Sequence, residues 1–199
     1  PGATVDPHAL TADQGFVVTD GVHGSTDREN NLGERISGAG DVNGDGYDDF
    51  LVAAPDANTW EGAYAGAAYL VLGGEHGVSG WTGGETELNF VDLTGSEGYV
   101  RLEGGFNDGL GKGVSLLGDQ NQDGYDDFLV GRSGSAFLLY GGEHGIHGLT
   151  SGDHDFAPGT ELVAGQGYEI TSDGGSDLFG WAVSLAGEIG RASCRERVY

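Results

Sequence analysis

The apolar positions of this chain fall in short runs. They read F-L-V-A-A (50–54), A-A-Y-L-V-L (67–72), F-L-V (128–130) and A-F-L-L-Y (136–140). Glycine and aspartate bound each run, which argues for buried strands and against helices. Three further pieces have a strand-like pattern: Q-G-F-V-V-T-D-G (14–21), E-G-Y-V-R-L-E-G (97–104) and Q-G-Y-E-I-T-S-D-G (166–174). Runs that are apolar on both faces, such as 128–130 and 136–140, suit sheets stacked between neighbouring sheets.

The runs recur in order. L-G-E-R-I-S-G-A-G-D (32–41) aligns with L-G-K-G-V-S-L-L-G-D (110–119), and F-G-W-A-V-S-L-A-G-E (179–188) opens a third copy. The period is 78 residues from Asp41 to Asp119 and 69 from Gly111 to Gly180. The longer first unit carries extra residues around P-D-A-N-T-W-E-G-A-Y-A (55–65). Each unit offers four strand candidates, and four-stranded sheets repeated in tandem are the signature of propeller blades. The expected fold is therefore all-β: tandem four-stranded antiparallel blades of a β-propeller, forming an incomplete ring. Residues 1–31 would hold the outer strand of a preceding blade and a connection. Residues 32–109 form the first unit, 110–178 the second, and 179–189 the start of a third.

Each complete unit contains a nine-residue loop, D-V-N-G-D-G-Y-D-D (41–49) and D-Q-N-Q-D-G-Y-D-D (119–127). Side-chain oxygens fall at positions 1, 3, 5 and 9, with glycine at position 6. Calcium takes about 6–8 oxygen ligands, and alternate residues of a curled loop can point inward to supply them. The glycine meets the sharp turn, where a β-carbon would be resisted. The expected ligands are Asp41, Asn43, Asp45, Asp49 and the carbonyl of Tyr47 in one loop. In the other they are Asp119, Asn121, Asp123, Asp127 and the carbonyl of Tyr125. An EF-hand is excluded, because its position-12 glutamate is replaced by Val52 and Val130. Asp, Asn and Gly also make ordinary turns. However, four carboxylates within nine residues, twice, would repel one another in a turn without metal. Asp48 and Asp126, at position 8, are expected to face solvent.

With these motifs the chain resembles the FG-GAP repeat family, the blades of the integrin α-subunit propeller and of many bacterial surface and secreted proteins. The "FG" positions match Leu32-Gly33, Leu110-Gly111 and Phe179-Gly180. The "GAP" positions match Ala53-Ala54-Pro55, whereas the second unit has Gly131-Arg132-Ser133 and departs from the pattern. The resemblance covers roughly residues 10–188. It implies a propeller, usually of seven blades, with calcium loops joining the first and second strands of a blade. It implies no particular ligand, since one fold hosts many functions.

Composition narrows the partners. There are 32 acidic against 8 basic residues, a net charge of −24, and eight of the acids lie in the two loops. Such a charge argues against nucleic acid or anionic membrane as a partner. No apolar run approaches the roughly 20 residues of a membrane span. The 41 glycines suit tight turns between many short strands. The single cysteine, Cys194, supplies no disulfide framework. Calcium loops in an acidic repeat chain fit the millimolar calcium outside cells, so a secreted or cell-surface location is expected. The chain starts at Pro1 and has no methionine, and is read as a fragment of a longer protein. Residues 190–199, G-R-A-S-C-R-E-R-V-Y, break the pattern where a third loop is due, and are read as foreign or frame-shifted sequence.

Little else points to chemistry. Glu75-His76 and Glu143-His144 sit in two G-G-E-H-G segments, with His147 and His154 nearby. Adjacent Glu-His pairs do not give the three or four converging ligands of zinc, so a structural turn is expected. Trp60, Tyr64 and Trp81 lie on connections, where aromatics serve either as sugar platforms or as cover for a neighbouring blade. No nucleophile elbow, Cys/His pair or phosphate loop is present, and no catalytic residue is assigned. The leading expectation is a calcium-binding, non-catalytic propeller segment. It would act in adhesion or protein binding and pack against neighbouring blades of the full chain. The alternatives are a lectin-like propeller with a glycan ligand, or the accessory propeller of a secreted hydrolase.

Overall fold

The computed structural model describes residues 16–19, 31–59, 63–75, 77–79, 87–89, 98–150, 155–172 and 178–184. Eleven strands and one helical turn occur among them. In chain order they are β1 (Val17–Thr19), β2 (Arg35–Gly40), β3 (Asp49–Ala54), β4 (Ala67–Val71), β5 (Glu87–Asn89), β6 (Tyr99–Glu103), β7 (Gly113–Gly118), β8 (Asp127–Arg132), β9 (Ser135–Leu139), β10 (Asp155–Phe156), α1 (Pro158–Glu161) and β11 (Gly167–Thr171).

The repeat read from the sequence becomes two antiparallel four-stranded sheets. The first runs β2-β3-β4-β6, and the second runs β7-β8-β9-β11. The hairpins match in register: Ser37 pairs with Leu51 in one sheet and Ser115 with Leu129 in the other. Both first strands carry a bulge just before the loop, between Gly38 and Gly40 and between Leu116 and Gly118. A bulge bends its strand and sharpens its twist, which tips both loops off the same edge of the sheets. The fold is thus all-β with tandem blades, and the sheets among the described residues do not by themselves close a ring.

Strand alternation explains the packing. One core lies between the two sheets, with Leu51 and Ala53 from β3 and Ala68 and Leu70 from β4 on one side. Phe128 and Val130 of β8, with Phe137 and Leu139 of β9, meet them from the other. The residues in between, Val52, Ala54, Ala67, Tyr69 and Val71, face the opposite way into a second cluster, joined by Phe16 and Val18. Period-two side-chain direction puts two faces on each strand, so runs apolar throughout bury both.

Two pairings have no counterpart in the pattern of runs. β1 pairs in parallel with β5, Val17 opposite Glu87. β10 adds in parallel to the outer strand of the first sheet, Phe156 opposite Leu102, and buries Phe156 in the core between the blades.

The glycines of the three L-G or F-G pairs all take left-handed backbone: φ is 86° at Gly33, 94° at Gly111 and 86° at Gly180. Gly111 sits so close to the first blade that an added β-carbon would lie 2.8 Å from the Ala53 methyl. The third unit approaches the second more closely still. A β-carbon on Gly131, which takes the place of Ala53, would lie 1.8 Å from the Gly180 carbonyl oxygen. Glycine at position 131, the first place of the G-A-P triplet, is therefore a steric requirement of the next turn. Residues 190–199, and with them the reading of a foreign tail, lie outside the described residues.

Candidate metal centre

Each nine-residue loop is the tip of a hairpin, β2–β3 or β7–β8. Its glycine at position 6 takes a φ of 90° at Gly46 and 96° at Gly124, the left-handed turn the sequence calls for. The chain thereby folds back, and the loop's own N–H groups come to face its acids. The Asp45 and Gly46 N–H groups donate to the two Asp41 carboxylate oxygens, at 3.0 Å each. The Tyr47 N–H donates to Asp45 Oδ1 at 2.9 Å, and the Asp45 N–H also donates to Asn43 Oδ1 at 3.1 Å.

The second loop repeats this wiring. The Asp123 and Gly124 N–H groups donate to Asp119, the Tyr125 N–H donates to Asp123, and the Asp123 N–H also donates to Asn121. In both loops the amide of the position-3 asparagine donates to the position-5 carboxylate, at 2.9 and 2.7 Å. Two segments that differ at positions 2 and 4 thus share these bonds, and the second adds one, from the Gln122 N–H to Asp119 Oδ1 at 2.6 Å.

Position 9 is built differently from the rest. Asp49 and Asp127 are buried, at 2% and 0% exposure. Asp49 accepts the Val42 N–H on one oxygen and the Gly73 N–H on the other, both at 2.7 Å. Asp127 does the same with Gln120 at 2.7 Å and Gly141 at 3.0 Å. Each therefore ties the start of its loop to the turn after the third strand of its sheet. Burial pushes the Asp49 carboxyl up to about 6; the two N–H bonds pull against the rise, and the charges of Asp45 and Asp41 add to it. Asp127 is raised for the same reasons, burial foremost. An anion held in this way gains from a nearby cation, because opposite charge favours the ionised form.

The donor set fits a hard cation. Each loop offers three carboxylates and an amide oxygen within nine residues and no sulfur or ring nitrogen, the choice of calcium and magnesium over zinc or copper. In the present side-chain arrangement the carboxylates are turned on the loop's own N–H groups. Among the described residues no three His, Cys, Asp or Glu side chains converge as a metal cluster.

Position 4 distinguishes the loops. Gly44 has a φ of 75°, and Gln122 holds the same left-handed backbone at 64°. A side chain there costs roughly 1–2 kcal/mol, partly offset because glycine loosens the unfolded chain. Gln122→Gly is expected to stabilise the protein by about 0.5–1 kcal/mol. A urea titration in chelator measures it, and an unmoved or lower midpoint would contradict the strain assigned to this position.

Asp48 is exposed, as expected of position 8, but Asp126 corrects that reading. Its Oδ2 accepts the Asp41 N–H at 3.1 Å, and its own N–H donates to the Asp41 carbonyl at 3.1 Å. Asp126 faces the other loop because the second blade packs its loop alongside the first. The sequence carries no sign of this, since the same residue stands at position 8 in both copies.

The G-G-E-H-G segments are turns, closed by the Gly77 N–H on Gly74 and the Gly145 N–H on Gly142. They seat Val78 and Ile146 in the two cores. His147 Nδ1 stands 4.0 Å from Asp123 Oδ2; His76 and His154 lie outside the described residues. Trp60 and Trp81 also lie outside them. Tyr64 lines a cavity of about 170 Å³ between the blades with Asp56, Asn107 and Lys112. That volume is below the roughly 300–1,000 Å³ of small-molecule sites.

Residues 33–71 match the family model described as FG-GAP repeat. Integrin alpha-8 of Mus musculus is 30% identical over 169 residues, which is 76% of this chain and 14% of that protein. Integrin alpha-PS2 of Drosophila melanogaster is 32% identical over 155 residues, 72% of this chain and 10% of that protein. Integrin alpha-6 of Homo sapiens is 29% identical over 111 residues, 54% of this chain and 8% of that protein. The chain thus spans only a small part of the length of these relatives.

Proposed function

The chain carries the FG-GAP repeat, and from that premise we propose that it is a calcium-stabilised, non-catalytic stretch of an extracellular propeller that presents a protein-binding surface in adhesion. The observation that carries this reading is the pair of oxygen-only loops, which share most of their hydrogen bonds and lie at the same edge of two adjacent blades. Asp41, Asn43, Asp45, Asp49 and the Tyr47 carbonyl would hold one cation. Asp119, Asn121, Asp123, Asp127 and the Tyr125 carbonyl would hold the other. A cation there neutralises carboxylates that otherwise repel one another. Its binding free energy becomes folding free energy of the hairpin.

Similarity to integrin alpha chains supports adhesion and a cell-surface or secreted setting. The net charge of −24 weighs against nucleic acid. Among the described residues no helix is long and apolar enough to cross a membrane.

Calorimetric titration with calcium chloride should return a stoichiometry near two. The dissociation constants should be on the order of 10⁻⁴–10⁻³ M, the range of extracellular modules. At tenfold excess over the dissociation constant each site contributes about 1.4 kcal/mol, so chelator should lower the melting temperature. Superimposable melting curves with and without chelator would end the structural-calcium reading. A stoichiometry of three would bring the segment after residue 187 into the ligand set.

A further inference from the structure

The two loops are joined. The second blade grips the first loop and its entry at five points, none of them through a side chain of the proposed ligand sets. The Asp126 side chain and N–H hold the N–H and the carbonyl of Asp41. The Asp126 carboxylate also fills the space beside Gly40, where a β-carbon would come within 1.9 Å of it. The Tyr125 ring lies against Gly44, 2.7 Å from where a β-carbon would stand. Beyond the loop, the Gly142 N–H donates to the Val42 carbonyl at 2.9 Å.

These contacts complete a path between the two buried aspartates. Asp127 accepts the Gly141 N–H. The next N–H, that of Gly142, donates to the Val42 carbonyl. The Val42 N–H donates to Asp49. Whatever fixes Asp127 and the turn after β9 also fixes the residues that open the first loop. Asp48, the counterpart of Asp126, is exposed, so the path is built by the second loop upon the first.

We propose that the two loops bind cations as a coupled pair, with Asp126 as the positioning residue through which the second loop orders the first. The proposal rests on the calcium reading above. A loop that must order itself to bind loses affinity by the free energy of that ordering. A loop already held at Asp41, Val42 and Gly44 has less to lose. Filling 119–127 fixes Tyr125 and Asp126, so 41–49 then binds more tightly. By linkage the first loop returns the same factor to the second.

The test is calorimetric titration of the whole chain with calcium chloride in five forms: wild type, Asp45→Ala, Asp123→Ala, Asp126→Ala and Asp126→Asn. With the second loop disabled by Asp123→Ala, the first should bind about five- to tenfold more weakly than in wild type. Asp45→Ala should weaken the second loop by the same factor. Asp126→Ala should weaken binding at the first loop toward that of Asp123→Ala. Asp126→Asn carries the same charge as the alanine variant but keeps an acceptor for the Asp41 N–H, and should restore most of the loss. A general loss of structure would give no such rescue. Two sites with the same affinities in every form that retains them would overturn the coupling and leave the calcium reading standing. Absence of binding heat in all five forms would overturn both.

Discussion

Asp49→Ala is expected to lower the unfolding free energy by about 2–5 kcal/mol even with all calcium chelated. The substitution leaves the Val42 and Gly73 N–H groups without the oxygens that each reaches at 2.7 Å. Asp49 is almost wholly buried, and an unsatisfied buried donor costs about 1–3 kcal/mol. An opposing effect exists, because removal of the charge relieves its burial and its repulsion by Asp45 and Asp41. What dominates is the pair of N–H groups left buried with no acceptor, which no relief of charge repairs. Asp127→Ala should behave alike through Gln120 and Gly141. Asp48→Ala, on an exposed neighbour, should stay within about 0.5 kcal/mol of wild type. Chelator is essential to the measurement, since it separates the hydrogen bonds of position 9 from the role toward a cation proposed for it. Equal midpoints for Asp49→Ala and Asp48→Ala in chelator would show that position 9 matters for metal alone.

Gly111→Val is expected to destabilise by roughly 2–5 kcal/mol and to loosen the second blade from the first. A β-branched residue resists the left-handed backbone of this position, where φ is 94°. Its β-carbon would also meet the Ala53 methyl at 2.8 Å and the Ala67 carbonyl oxygen at 2.9 Å. The molecule supplies its own control. Gly33 occupies the same place in the first unit with a φ of 86°, and nothing lies within 4 Å of an added β-carbon there. Gly33→Val should therefore show the backbone strain alone, about 1–2 kcal/mol. Denaturant unfolding of both variants gives the difference, which is the steric part of blade docking. Two separate transitions for Gly111→Val would mark blades that unfold independently. Equal losses in the two variants would mean that the turn does not set the contact between blades.

Much of this architecture is legible in the residues, because the repeat states each element twice. Asp41 and Asp119, Gly46 and Gly124, and Ser37 and Ser115 hold matching places, and the structure gives them matching hydrogen bonds or registers. The two faces of β3 and β8 follow from alternation in runs that contain no polar residue. What the sequence hides is long-range and belongs to one copy only. Phe156 enters the core on a two-residue strand, too short for any periodicity. Glu87–Asn89 pairs with Val17–Thr19 without a run of apolar residues to announce it. Asp126 reads as a solvated loop acid, and its true surroundings come from a neighbouring blade that position 8 of the first loop does not meet in the same way. Asp49 reads as a ligand, yet its burial and its bond to Gly73, 24 residues on, also make it a structural acceptor.

The parallel pairing of β1 with β5 also has a consequence for the order in which the chain acquires its structure. Val17 meets Glu87 across 70 residues, whereas Gly38 meets Phe50 across 12 and Val71 meets Tyr99 across 28. Closing a longer loop loses more chain entropy, and contacts of large sequence separation slow folding. The hairpins of the first blade can therefore zip early, while the N-terminal strand waits for residues made much later on the ribosome. Until then Phe16 and Val18 stay away from the outer cluster that they eventually cover. That face is open during the interval in which a nascent chain meets chaperones, other chains and the next blades of its own.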